Sequence, residues 1–183
     1  SFRLFADDIR GKDYRLIESG PDGERQLPIG PNVTFGGRVS AGGNMRLTLD
    51  TDFVFGYWEQ DGQTWFVQPL RDFIPGEAPD RFVVYETSAV IPVPDARCGW
   101  TKTMDAKVNM ETDHDHAKMA GQCYETEIAI ASDFLMFQLL GSVAAVQNFA
   151  LGVLNNVQTN YDNEFADEIR FIEVANFESS SAA

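Results

Sequence analysis

Hydrophobic periodicity changes once along this chain, and the change sits on a polar stretch with no periodicity of its own. Up to about residue 90 the apolar residues recur every second position; after residue 124 they recur every third or fourth position between two alternating segments. Period two belongs to half-buried strands and period 3.6 to helices packed on a core. The clearest strand is Asn44 to Asp50, with Met45, Leu47 and Leu49 on one side and Arg46 and Thr48 on the other. Asp50-Thr51-Asp52 turns the chain into Phe53-Val54-Phe55-Gly56-Tyr57-Trp58, and Asp61-Gly62 is a short hairpin signal returning through Thr64-Trp65-Phe66-Val67. Pro69 ends that strand, and Arg81 to Glu86 makes another. Tyr14 to Glu18 and Val33-Thr34-Phe35 are shorter candidates between Gly/Pro turns. This spacing predicts an antiparallel β sandwich or partly open barrel for the N-terminal region.

The second half predicts an incomplete α/β unit, so the fold class is α+β. Tyr124 to Ala131 alternates and is bounded by Ser132-Asp133. From Phe134 to about Asn163, residues including Phe137, Leu140, Leu151, Leu154 and Tyr161 follow helical spacing, with an interruption predicted at Gly141-Ser142. Glu168 to Val174 alternates again, which makes the two strands parallel neighbours joined by a helical crossover. One such unit leaves its sheet half built, with an exposed edge. The boundaries this predicts are 1–104 for an independent β-rich domain, 105–123 for a polar acidic and His-bearing linker, and 124–183 for the α/β piece.

Composition narrows the function classes. Of 183 residues 44% are apolar, including 14 Phe, 3 Trp and 5 Tyr, enough for a packed core. A net charge of −14 argues against nucleic acid and anionic membrane surfaces, since like charge repels phosphate. No apolar run reaches the roughly 18–20 residues that span a bilayer. The opening Ser1-Phe2-Arg3 reads as the cut end of a longer precursor, and the Asn32-Val33-Thr34 sequon is compatible with secretion.

Chemistry-bearing residues are few. Asp95-Ala96-Arg97-Cys98-Gly99-Trp100 follows Ile91-Pro92-Val93-Pro94, a stretch that cannot be helical. Arg97 favours the thiolate of Cys98, a good zinc ligand, and Gly99 lets the backbone approach a partner closely. A half-buried structural cysteine is the other reading, as is a Cys98–Cys123 disulfide closing the linker. Both histidines, His114 and His116, lie in Glu111 to His116; His-x-His is a recurring metal-ligand spacing, and a solvated tether open to proteases explains the same residues. Ser132 and Ser142 have no His nearby, Cys98 has no paired base within sequence reach, and the carboxylate pairs Asp50/Asp52 and Asp162/Glu164 read as solvated turns.

In this order the segments resemble part of a zymogen of the adamalysin/reprolysin-like zinc metallopeptidases, a branch of the metzincins. Gly56-Tyr57-Trp58, Asp61 to Leu70 and Val83-Val84-Tyr85 are similar to that family's prodomain theme "G-x-I … G … Y-x-I-E-P-L … H-x-x-Y", departing at Trp58, Gln68 and Phe82. Arg97-Cys98-Gly99 is similar to its cysteine switch. Glu127 to Asp133 with Met136-Phe137 resembles the opening strand of the catalytic domain, and Gln158 to Phe165 the end of its first long helix. The resemblance implies a secreted zinc metalloendopeptidase precursor, kept latent by Cys98 as a zinc ligand, with calcium bound at Glu127. Its partners would be the rest of the catalytic domain and peptide or protein substrates. No His-Glu-x-x-His occurs in the chain, so this section alone is predicted to be inactive, with zinc held elsewhere. The alternative is a secreted, non-enzymatic binding or inhibitory module.

Overall fold

The computed structural model describes residues 1–40, 42–91, 124–165 and 169–182. It is an α+β fold with two sheets and a helix between them. Strands β1 (Phe2–Ala6), β4 (Thr34–Val39), β5 (Asn44–Asp50), β6 (Phe53–Gln60), β7 (Gln63–Pro69) and β8 (Phe82–Glu86) form an antiparallel six-stranded sheet in that spatial order. The β6–β7 hairpin turns at Asp61 and Gly62, both at positive φ (53° and 75°), the backbone that Asp-Gly favours. One face of this sheet encloses Val39, Met45, Leu47 and Val67. Leu4 of β1 and Phe82 of β8 pack on the same cluster, so the two edge strands curl toward each other without pairing.

The second sheet orders β3 (Gly23–Leu27), β2 (Arg10–Gly20), β10 (Ile169–Ser179) and β9 (Tyr124–Ser132). β9 and β10 are parallel neighbours, as their spacing around a helix predicts. Between them run α1 (Phe134–Leu140) and α2 (Val143–Phe165). The break falls at Gly141-Ser142: Asp133 caps α1 by accepting from Met136 N at 2.9 Å, Gly141 ends it at φ 85°, and the Ser142 hydroxyl accepts from Ala145 N to start α2. α2 lies between the sheets, against β5 and β6 on one side and β10 on the other. Leu151, Leu154 and Phe171 meet Ile9 and Val33 there, with Ile128, Ile130, Val157 and Tyr161 around them. Gly152 permits the close approach on the β6 side, because a Cβ there would lie 2.7 Å from the Phe55 ring.

The expected division into an independent β domain (1–104) and a separate α/β piece (124–183) does not describe this arrangement. β2, expected within the β domain, pairs in parallel with β10, with Asn176 opposite Leu16 and Glu178 opposite Glu18. The reason is the half-built sheet itself. β10 presents an edge of unpaired N–H and C=O groups, and the 11-residue β2 satisfies them while burying Tyr14 and Leu16.

Candidate functional site

Of the predicted site residues, Cys98, His114 and His116 lie outside the described residues, as does Cys123. Glu127 stands exposed on β9, opposite Ile172 of β10. Among the described residues no three of His, Cys, Asp and Glu are gathered closely enough to hold a metal ion. Those residues also contain no His or Cys, so they carry no nucleophile–imidazole pair. The polar chemistry of the described chain is concentrated instead where its N-terminal and C-terminal parts meet.

One cluster is built on Arg46. Its strand position puts it on the face of β5 away from Met45 and Leu47, which α2 covers. The guanidinium pairs with Asp7, from the link between β1 and β2, and at 2.7 Å with Asp162 of α2. Arg170 of β10 binds the other oxygen of Asp7 at 2.7 Å and the Asp8 carbonyl at 3.1 Å. Gln158 donates to Asp162 at 2.7 Å and to the Ile169 carbonyl at 2.8 Å, and its own oxygen accepts from Phe171 N. Asn155 donates to the Leu47 carbonyl at 3.1 Å, and Asn148 to Asp50 at 2.7 Å. Burial alone would raise the Asp7 carboxyl; the hydrogen bond from Arg170 and the charge of Arg46 outweigh it and hold Asp7 below its ordinary 3.8. The reading of Asp162 as a solvated turn is therefore overturned, while Asp50 stays exposed beside the Thr51-Asp52 turn. Each is fastened to another layer, because α2 carries amides and a carboxylate at the spacing that meets the polar face of β5.

The second cluster lies along β2 and β10. Strand alternation puts Tyr14, Leu16 and Glu18 of β2 on one face, with Asn176 and Glu178 of β10 beside them. Gln147 of α2 donates to the Tyr14 hydroxyl at 3.1 Å, so this face is the inner one. Glu173, Asn176 and Glu178 are almost wholly buried, at 0%, 0% and 1% exposure. Among the described residues none of their side-chain oxygens, nor the Asn176 amide nitrogen, has a hydrogen-bond partner. Burial pushes the Glu173 carboxyl up to about 8, with Arg10 acting weakly against it. Burial, then the charges of Glu173 and Glu18, push Glu178 up to about 8 as well. Glu18 behaves oppositely: hydrogen bonds from Ser180 and Arg25 hold it below its ordinary 4.5. Neighbouring carboxyls thus stand in different protonation states near neutral pH. Tyr14 is pushed up by its burial and by the two buried glutamates.

A cleft of about 520 Å³ opens beside this row, between the β2–β3 hairpin, the following loop and the first turns of α2. Arg10, Leu16, Leu27, Val33, Gln147 and Leu151 contribute to its lining. Arg10 is engaged already, bonded to Asp8 at 2.9 and 2.8 Å and to the Gly30 carbonyl at 3.1 Å.

Little of this was visible in the linear sequence. Glu173 and Glu178 alternate with apolar residues as exposed strand positions do, and they are enclosed because α2 packs on the face that β10 shares with β2. The one signal was the strict alternation of Tyr14, Leu16 and Glu18, which puts a carboxylate on an otherwise buried face. No family model matches the chain, and no curated protein matches it either.

Proposed function

We propose that the chain is the N-terminal section of a secreted zinc metalloendopeptidase zymogen of the adamalysin/reprolysin-like kind, in which the β-rich region maintains latency through Cys98. The motif order supports this reading: the switch-like Arg97-Cys98-Gly99 motif stands between a β-rich region and a strand–helix–strand segment whose Glu127 to Asp133 resembles a catalytic opening strand. The observation that carries it is the seating of β2 on the edge of β10. An inhibitory N-terminal region has to be held against the unit it inhibits, and this pairing, with the Arg46 cluster, supports the reading by joining the two parts of the chain.

The residues of this chain do not by themselves fit a catalytic zinc. His-Glu-x-x-His is absent from the sequence, and no metal-holding group stands among the described residues. On this reading the ion and its water-activating chemistry would be supplied by residues outside this sequence, and Cys98 would address that ion as a fourth ligand. Calcium at Glu127 belongs to the same reading, with the remaining oxygen ligands drawn from outside the described residues.

The test is a longer precursor that includes the downstream coding sequence. Cys98→Ala in it should raise basal hydrolysis of a quenched peptide, while the 183-residue chain alone, supplied with zinc and calcium, should show none. Absence of His-Glu-x-x-His downstream, or basal activity indifferent to Cys98→Ala, would refute the reading and leave a non-enzymatic binding module.

A further inference from the structure

We propose that the β2–β10 junction is a proton-dependent clasp, closed while Glu173 and Glu178 are protonated and loosened when they ionise. The geometry behind it is a row of enclosed polar groups at the one seam that joins the N-terminal and C-terminal parts into a shared sheet. Glu173, Asn176 and Glu178 sit on β10 with at most 1% of their surface exposed and without hydrogen-bond partners among the described residues. A buried, unpaired carboxylate is among the costliest groups a fold can enclose. It can be neutralised by a cation or by a proton. No described residue donates a hydrogen bond to either carboxyl, and burial without such a donor favours the neutral, protonated form.

The charged and titratable groups around the row set the direction. From β2, Arg10 favours the ionised form of Glu173, while Glu18 opposes ionisation of Glu178 across the strand pair. Tyr14, also on β2, is neutral and already takes a hydrogen bond from Gln147, the uncharged residue that α2 presents to it. From β3, Arg25 is committed to Glu18 at 2.6 Å. On β9, Ile128, Ile130 and Ser132 are the residues paired with Glu173, Asn176 and Glu178, and none carries charge. Among the described residues only Arg10 relieves the row, and its guanidinium is bonded to Asp8.

Both carboxyls have closed-state values near 8, against an ordinary 4.5 in water. Opening the junction therefore releases protons throughout that interval. The population of the open junction should rise about tenfold per pH unit for each carboxyl that opening exposes, and level off above about pH 8. The clasp is a property of this chain; its use as a control on latency rests on the function proposed above.

Hydrogen–deuterium exchange of the full chain between pH 5 and 9, corrected for base-catalysed intrinsic exchange, reads the clasp directly. Amides of 14–19 and 175–179 should lose protection as pH rises, while those of β5 and β6 hold theirs. Glu173→Gln/Glu178→Gln should flatten the pH dependence of the seam. Should that variant fail to fold, carbon-13 carboxyl NMR of the unmodified chain decides: two glutamates should titrate near pH 8. Seam protection with the same pH profile as β5–β6, or all glutamates titrating in the ordinary acid range, would overturn the proposal. Neither readout involves peptidase activity, so the latency reading stands or falls separately.

Discussion

Replacing Arg46 by Met removes the one charge shared by β5, the β1–β2 link and α2 while keeping most of the aliphatic stem. The side chains of Arg46, Asp7 and Asp162 are 11%, 14% and 15% exposed, so the cluster is largely shielded from water. Removing one partner of a buried pair costs about 3–5 kcal/mol, chiefly through the charge left behind. Here both carboxylates keep a second donor: Arg170 on Asp7 and Gln158 on Asp162, each at 2.7 Å. The low end applies, about 3 kcal/mol, which for a chain of this length lowers Tm by roughly 6–12 °C. Urea unfolding followed by tryptophan fluorescence measures it. The loss should itself depend on pH. Asp7 is held below its ordinary 3.8, so the stability it contributes is present above that value and disappears as pH falls through its folded value. The gap between wild type and Arg46→Met should accordingly narrow in acid. A loss below about 1 kcal/mol, or a coupling to Asp162→Asn below about 0.5 kcal/mol in a double-mutant cycle, would show that the cluster does not bind the layers together.

Other substitutions probe the same frame. Gly56→Ala should cost about 3 kcal/mol in urea unfolding: Gly56 has φ 154°, and a Cβ would lie 2.1 Å from the Arg46 carbonyl oxygen on the neighbouring strand. A neutral result would mean that β5 and β6 can separate there at no expense. Gln158→Leu leaves Phe171 N–H and the Ile169 carbonyl without their partner at the start of β10, and should cost about 2 kcal/mol. Its amide-exchange signature should be confined to β10 and the end of α2, and global loosening instead would contradict that assignment.

Local elements were legible in the sequence because short-range physics sets them. Asn44–Asp50 as a strand, the Asp61-Gly62 turn and the helix break at Gly141-Ser142 all follow from alternation, backbone preference and capping within a few residues. The parallel β9–β10 pair followed from two alternating runs around a helix. Tertiary structure alone decided where β2 belongs, since an 11-residue strand can satisfy any open sheet edge, and the edge it finds is more than a hundred residues away. The placement of α2 between the sheets decided which charges are buried. Arg46 and Asp162 look like surface residues until α2 is laid across β5, and Glu173 and Glu178 look like the outer face of a strand until α2 packs on the face they share with Tyr14 of β2. Residue type fixes what a side chain requires from its surroundings, and long-range packing fixes whether water, a neighbouring charge or a proton meets that requirement.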